Sequence, residues 1–390
     1  MPQTEKKLRV AIVFPSGHLY NTPCVPNLAL RLAVNGVSVD VYAARNDQTP
    51  EGELVHPGLK LVYYPVVQRK GKENVAALSA GFFTWLLLRL RNQQYDFVLA
   101  CGIRGLFVVG ILSGILRIHY VYNSLEIYSG KAYSRGLRKL FKRAEMFFNK
   151  RARFSLIQDP KRAELLKTIN ELGGQDVLLF PNAPFDLSED SVEDGSKSIR
   201  ARFGIPETSH LAICSGSLTA QWAGIDKILS ATNGFPQNHI LFLQSRSTLH
   251  SISNTSLREN IDSRKVVLSN SPLSASDYDR LVQESDVGIA WYESDDENIH
   301  YVGLSSGKIA HYLKWGRPII VNRLPVIADF IERYHCGITV DNEHEIGPAF
   351  EKICANYEFY SEGSYAAYNA MFDMDPYTHK LIKKMIQDQT

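Results

Sequence analysis

The chain has 390 residues, 45% of them hydrophobic, which is long for one domain and comfortable for two. With 43 Lys and Arg against 41 Asp and Glu the formal charge is +2, so composition makes no electrostatic case for nucleic acid. The five cysteines (Cys24, Cys101, Cys214, Cys336, Cys354) are scattered, lack Cys-x-x-Cys spacing and mostly sit in apolar runs, which argues against a zinc site and for reduced thiols in a reducing compartment.

In chain order, Lys6-Lys7-Leu8-Arg9 precedes only Val10 to Phe14, a run of strand length rather than the core of a signal peptide. Short apolar strands then alternate with helical segments, the pattern of a parallel sheet covered by helices. Strands are expected at Val10 to Phe14, Val37 to Ala43, Leu59 to Pro65, Phe97 to Cys101, Tyr120 to Asn123, Ser155 to Gln158 and Val177 to Phe180. The most apolar stretches, Ala80 to Leu88 and Gly105 to Leu116, fall short of the ~20 residues that span a bilayer and read as helices packed on the sheet. Lys131 to Arg153 is strongly basic, with Leu and Phe interleaved and Glu145 the acid among them. Such a helix can lie on an anionic membrane surface.

From Asn182 to Ile205 the chain turns polar and reads as a linker with a variable loop. A second alternation follows, with strands at Leu211 to Cys214, Ile240 to Leu243, Val266 to Leu268, Val287 to Tyr292, Ile319 to Val321 and Ile338 to Val340. Asp375 to Gln389 reads as a polar-capped helix. The fold class is therefore α/β, two doubly wound parallel-sheet domains facing across a cleft. The boundaries fall at residues 1–182 for the first and 183–372 for the second.

Ligands of such sheets bind beyond the carboxyl ends of the strands. That rule picks out Ser16-Gly17-His18, Gly102, Ser124 to Glu126, Ser215 to Leu218, Ser245-Arg246 and the loop from Glu293 to Lys308. The last of these ends in Ser305-Ser306-Gly307-Lys308, before a helix that Gly316 closes. Either serine can cap that helix, and a helix start with free amides, hydroxyls and a lysine is suited to an anion. Gly216 lets the backbone approach a phosphate in the same way, with Ser217 beside it. The strand-end Arg246 is a further cation for a diphosphate. His311 follows Lys308 by three residues and projects from a similar side of the helix. Glu126, at a strand end, can bind a hydroxyl or accept its proton, or cap a following helix. Glu293-Ser294-Asp295-Asp296-Glu297 reads as a solvated acidic loop rather than a metal site.

The order and spacing of these segments resemble the GT-B glycosyltransferases, specifically the retaining, family 4-like (group 1) enzymes. Asp286-Val287-Gly288-Ile289, then Ser305 to Pro318, match the family's nucleotide-sugar segment, and Pro181-Asn182-Ala183-Pro184 matches its inter-domain crossover. Leu156-Ile157-Gln158-Asp159 with Arg162 to Leu166 is a further match. The resemblance implies a hexosyltransferase-like enzyme of polysaccharide biosynthesis. It would move a sugar from a nucleotide-sugar to a glycan or lipid-linked acceptor with retention, using no metal or other cofactor. Gly216, Ser217, Arg246, Ser305, Ser306, Gly307, Lys308 and His311 would hold the donor. Glu126 and His18 would be catalytic, with Gly17 and Ser124 on the acceptor side. The helix at 373–390 would return to the first domain. The enzyme would be cytoplasmic, touching the inner face of the membrane through 131–153.

The chain departs from the pattern at several positions. Ser217 stands where the family has Arg, Ala223 where it has Lys, His311 and Gly303 where it has acidic residues, and Leu125 where it has His. A non-catalytic or regulatory GT-B relative, and a GT-B sugar-nucleotide epimerase, are the alternatives.

Overall fold

The computed structural model describes residues 7–16, 19–20, 22–46, 54–68, 80–129, 133, 135–184, 198–218, 221–245, 264–269, 273–293 and 296–389. Val10 to Val13 are wholly buried, as are Val98 to Ala100 and Leu241 to Leu243. Such unbroken apolar runs are what strands covered on both faces require. The chain divides into two compact units, residues 1–183 with 373–390, and residues 184–372.

The first unit carries β1 (Arg9–Phe14), β2 (Ser38–Asn46), β3 (Leu59–Gln68), β4 (Phe97–Cys101), β5 (Tyr120–Asn123), β6 (Ser155–Ile157) and β7 (Val177–Leu179). They form one sheet in the order β3-β2-β1-β4-β5-β6-β7. All its pairings are parallel, with Val10 opposite Val39 on one side and Phe97 on the other. Helices Cys24–Val34, Ala80–Arg91, Gly102–Leu116, Gly136–Asn149 and Pro160–Ile169 connect the strands. The helix Met374–Gln387 is tied to this unit by Arg31–Asp375 at 3.2 Å and Lys384–Asp176 at 2.8 Å.

The second unit carries β8 (His210–Gly216), β9 (His239–Ser245), β10 (Val266–Ser269), β11 (Val287–Ala290), β12 (Ile319–Asn322) and β13 (Gly337–Val340). Its sheet runs β10-β9-β8-β11-β12-β13, again all parallel. Both sheets thus reverse direction between their first and fourth strands, β1/β4 and β8/β11. This is the doubly wound order whose switch point is the usual ligand position.

Three sequence expectations need correction. The helix expected from Gly105 begins at Gly102, directly after β4. Gly102, at φ +68°, makes the turn without a linker. The strand expected through Tyr292 ends at Ala290, so Trp291 and Tyr292 lie in the loop beyond the sheet. Part of the expected linker is the helix Ile199–Phe203; residues 185–197 lie outside the described residues. The Glu284 carboxylate caps that helix, accepting from Ile199 N at 3.1 Å, Arg200 N at 2.8 Å and Ser198 Oγ at 2.8 Å. The buried Arg200 donates to the carbonyls of Glu284, Pro206 and Ser209. A cap delivered from so far along the chain leaves no local signature in sequence.

Candidate functional site

At the exit of β8, Gly216 has φ +126°, a conformation that L side chains rarely adopt, and open space lies where a Cβ would stand. The preceding Ser215 is buried and locked: its amide donates to Tyr312 Oη at 3.1 Å, and its Oγ lies 2.9 Å from Tyr312 Oη and 2.6 Å from Tyr278 Oη. Tyr312 reaches it by crossing Gly288 of β11, where a Cβ would stand 2.1 Å from the tyrosine ring. A larger residue at 288 would push the helix Gly307–Lys314 off the sheet. Ser217 is exposed and Leu218 buried.

Ser306, not Ser305, caps the helix Gly307–Lys314, its Oγ accepting from Ile309 N at 3.3 Å. That hydroxyl is also 2.6 Å from Tyr292 Oη. Ser305 closes a 3-10 turn over Gly303–Ser305 and donates its hydroxyl to the Val302 carbonyl. The Lys308 ammonium lies 4.6 Å from the centre of the Tyr292 ring. Gly316, at φ +64°, ends the helix. The strand-end loop at 216–218, the helix start at 306–308 and Lys308 therefore belong to one end of the second sheet.

His311 is turned elsewhere. Its Nε2 bonds the Asp279 carboxylate on the helix Ala275–Glu284, and its ring packs edge-on against Tyr278 at 4.7 Å. Burial works to raise the Asp279 carboxyl, but the bond and charge of His311, with Trp315 and Lys314, outweigh it and hold the group below its usual value. In this arrangement the Nε2 of His311 is committed and not open to a ribose hydroxyl.

In the acidic loop, Glu293 is paired with Lys227 at 2.5 Å and accepts from Trp291 Nε1 at 3.0 Å. Burial pushes its carboxyl up; Lys227 and Trp291 more than offset that and leave it lowered. Asp296 caps the helix Glu297–His300, accepting from Asn298 N at 2.7 Å. Among the described residues no cluster of His, Cys, Asp and Glu has the makings of a metal site.

In the first unit, Ser124 is fully buried, its carbonyl accepting from Gln158 Nε2 and its hydroxyl donating to the Glu126 carbonyl, each at 3.0 Å. Glu126 is exposed in the loop after β5. The helix that follows begins only at Gly136, so Glu126 does not cap it. Desolvation, and next the charge of Glu126, raise the phenol of Tyr128, which puts that carboxylate close by. Gly17, His18 and Arg246 lie outside the described residues.

The helix Gly136–Asn149 is amphipathic in charge as well as apolarity. Its acid, Glu145, is buried, 2.7 Å from Lys142 Nζ and 2.9 Å from Tyr122 Oη. Arg138, Lys139 and Arg143 are exposed, and so are Leu140 at 63% and Phe147 at 49%. Lys131 lies outside the described residues. No described helix is long and apolar enough to cross a membrane.

Sucrose-phosphate synthase from Thermosynechococcus elongatus superposes with a TM-score of 0.71 at 12% identity, over 98% of this chain and 99% of that one. The fold is GT-B. Anabaena HepE in complex with UDP gives a TM-score of 0.69 at 14% identity, over 97% of this chain and 100% of that one. WaaG, a glycosyltransferase involved in lipopolysaccharide biosynthesis, gives 0.61 at 17%, over 97% and 99%. Residues 246–383 match the model of the glucosyltransferase 3-like C-terminal domain. No curated protein matches the sequence. This GT-B chain thus carries its family match over about a third of its length, the stretch that holds Lys308.

Sequence reasoning missed Tyr292, Tyr312 and Asn322. An aromatic residue just past a β-strand was the available signal for Tyr292. Nothing local pointed to Asn322, whose side chain accepts from Tyr292 N at 2.9 Å and donates to Tyr292 O at 2.8 Å across 30 positions.

Proposed function

We propose that this protein is a glycosyltransferase moving a sugar, with retention, from a nucleotide-activated donor to a glycan or lipid-linked acceptor. The observation that carries the reading is the anion-receiving start of the helix Gly307–Lys314 at the sheet's carboxyl end, within the segment matched by the glucosyltransferase 3-like domain model. That HepE has been solved with UDP supports a nucleotide donor.

In this reading the Gly216 loop, the amides after Ser306 and Lys308 hold the donor diphosphate and stabilise charge as it leaves. The anomeric carbon–phosphate oxygen bond breaks, and the acceptor oxygen bonds that carbon on the same face. Glu126 holds the acceptor hydroxyl and takes its proton. No metal takes part. The test is release of nucleoside diphosphate from a panel of nucleotide-sugars with glycan and lipid-linked acceptors, in the presence of a chelator. Transfer with retention supports the reading; no transfer from any donor overturns it.

The second reading is a non-catalytic nucleotide-binding relative, favoured by Ser217 in the diphosphate loop and by the engagement of His311 with Asp279. Nucleotide binding without turnover would select it.

For the lipid-linked case, the exposed basic face of the helix Gly136–Asn149 is the proposed contact with an anionic membrane, at the cytoplasmic face. Co-sedimentation with anionic vesicles should exceed that with neutral ones and fade with salt, since the attraction is screened over ~8–10 Å. Equal sedimentation with both lipid types removes the membrane from the account.

A further inference from the structure

We infer that Tyr292 is a positioning residue of the donor site, its ring seating the Lys308 ammonium toward the diphosphate while its hydroxyl, through the Ser306 cap, steadies the helix that carries the lysine. The inference rests on the donor-site reading above and adds to it a residue that neither the sequence pattern nor the domain match singles out.

Tyr292 lies two residues past the end of β11 and is 4% exposed. A tyrosine there could serve packing alone, and phenylalanine would then do as well. Four contacts argue for more. Its hydroxyl lies 2.6 Å from Ser306 Oγ, the atom that caps the helix Gly307–Lys314 and so shapes its first turn. Its ring lies 4.6 Å below the Lys308 ammonium. A free lysine loses much rotamer freedom when it grips a ligand, and a cation held over a ring has already lost part of it. Its backbone is clamped on both sides by the Asn322 side chain, at 2.9 and 2.8 Å, which ties the ring's position to β12. The Trp222 ring lies parallel to it, 6.3 Å between centres and 11° between planes, and limits its movement. One side chain thus couples the strand end, the helix cap and the cation. All three belong to the second unit.

The test is a double-mutant cycle on nucleotide binding, read as the preference for UDP over uridine in the intact protein. That preference isolates the diphosphate contribution from the base and ribose. Lys308→Ala should lower it. Tyr292→Leu should lower it about three- to tenfold, the scale of a lost cation–π contact. The double variant should fall no further than Lys308→Ala alone, within about twofold, because both changes remove one contribution. Tyr292→Phe keeps the ring under the ammonium and should retain the preference within about twofold, while losing helix-cap stability in thermal unfolding.

If Tyr292→Leu does not fold, Tyr292→Phe still decides: a loss of preference as large as that of Lys308→Ala overturns the seating of the ammonium. Losses that multiply in the double variant overturn the coupling. So does a Tyr292→Leu variant that weakens uridine and UDP equally, since that is what a purely structural tyrosine would do. Failure of the unaltered protein to bind UDP, GDP or ADP is a separate outcome: it overturns the donor-site reading itself, and this inference with it.

Discussion

The two units share a strand order around their switch points and differ in what they place there. In the second, β8 ends on a glycine at φ +126°, and the helix Gly307–Lys314, between β11 and β12, starts behind a capping serine with a lysine over a tyrosine ring. In the first, β4 ends on Cys101, and the helix after β1 begins with Cys24. A helix start ordinarily lowers a thiol's pKa. Here desolvation dominates and pushes both thiols up to about 12, so both are neutral near pH 7. The same topology thus yields an end suited to an anion in one unit, while the other sets two neutral thiols beside its switch point, one at the exit of β4 and one at the start of the helix after β1. Topology locates a site; side chains decide what it takes.

The strongest way to break this contrast is to separate acceptor chemistry from donor binding. Glu126→Gln, in the first unit, is expected to cut turnover by roughly 100-fold, the scale of a lost general base, with nucleotide affinity unchanged. Isothermal calorimetry beside initial rates checks it, and a parallel fall in both would assign Glu126 to the donor. Next in size, Lys308→Ala should weaken nucleoside-diphosphate binding by roughly 1–3 kcal/mol, as expected for a lost charge-assisted contact. Unchanged affinity in a folded variant would remove Lys308 from the site.

The smallest effect tests the opposite end of the second sheet, which should carry stability and no function. His210 and His239 begin β8 and β9 with their rings 4.9 Å apart. Burial, and then His210, hold the His239 imidazole below its ordinary value of 6.5. The folded state therefore refuses a proton that the unfolded chain accepts. Stability from this source is complete above 6.5 and declines as pH falls through that value toward the lower folded one. His239→Phe should flatten the decline in thermal unfolding between about pH 7 and 5, without altering nucleotide affinity.

The alternation of apolar strands made both sheets legible, because a strand buried on two faces must be apolar along its length. Phe97 to Cys101 and Tyr120 to Asn123 were read to the residue for that reason. The helix Ile199–Phe203 was not legible, since Glu284 caps it from another helix. The helix start at Ser306 was readable from small residues before an apolar turn, but which serine caps it depended on Tyr292. The engagement of His311 was hidden for the same reason: its partner Asp279 is 32 positions away. Local pattern finds the scaffold and the small-residue helix start. Contacts between distant segments decide which polar atoms remain available.

The central claim is that, of two sheets wound alike, the second receives the nucleotide. Amide hydrogen exchange with and without saturating UDP addresses it directly, because bound phosphate should protect the amides it touches. The account predicts added protection at residues 215–218 and 306–309, with exchange at residues 14–16 and 101–105 unaltered. Protection confined to the ends of β1 and β4, with none after β8 or at the helix start, would contradict it.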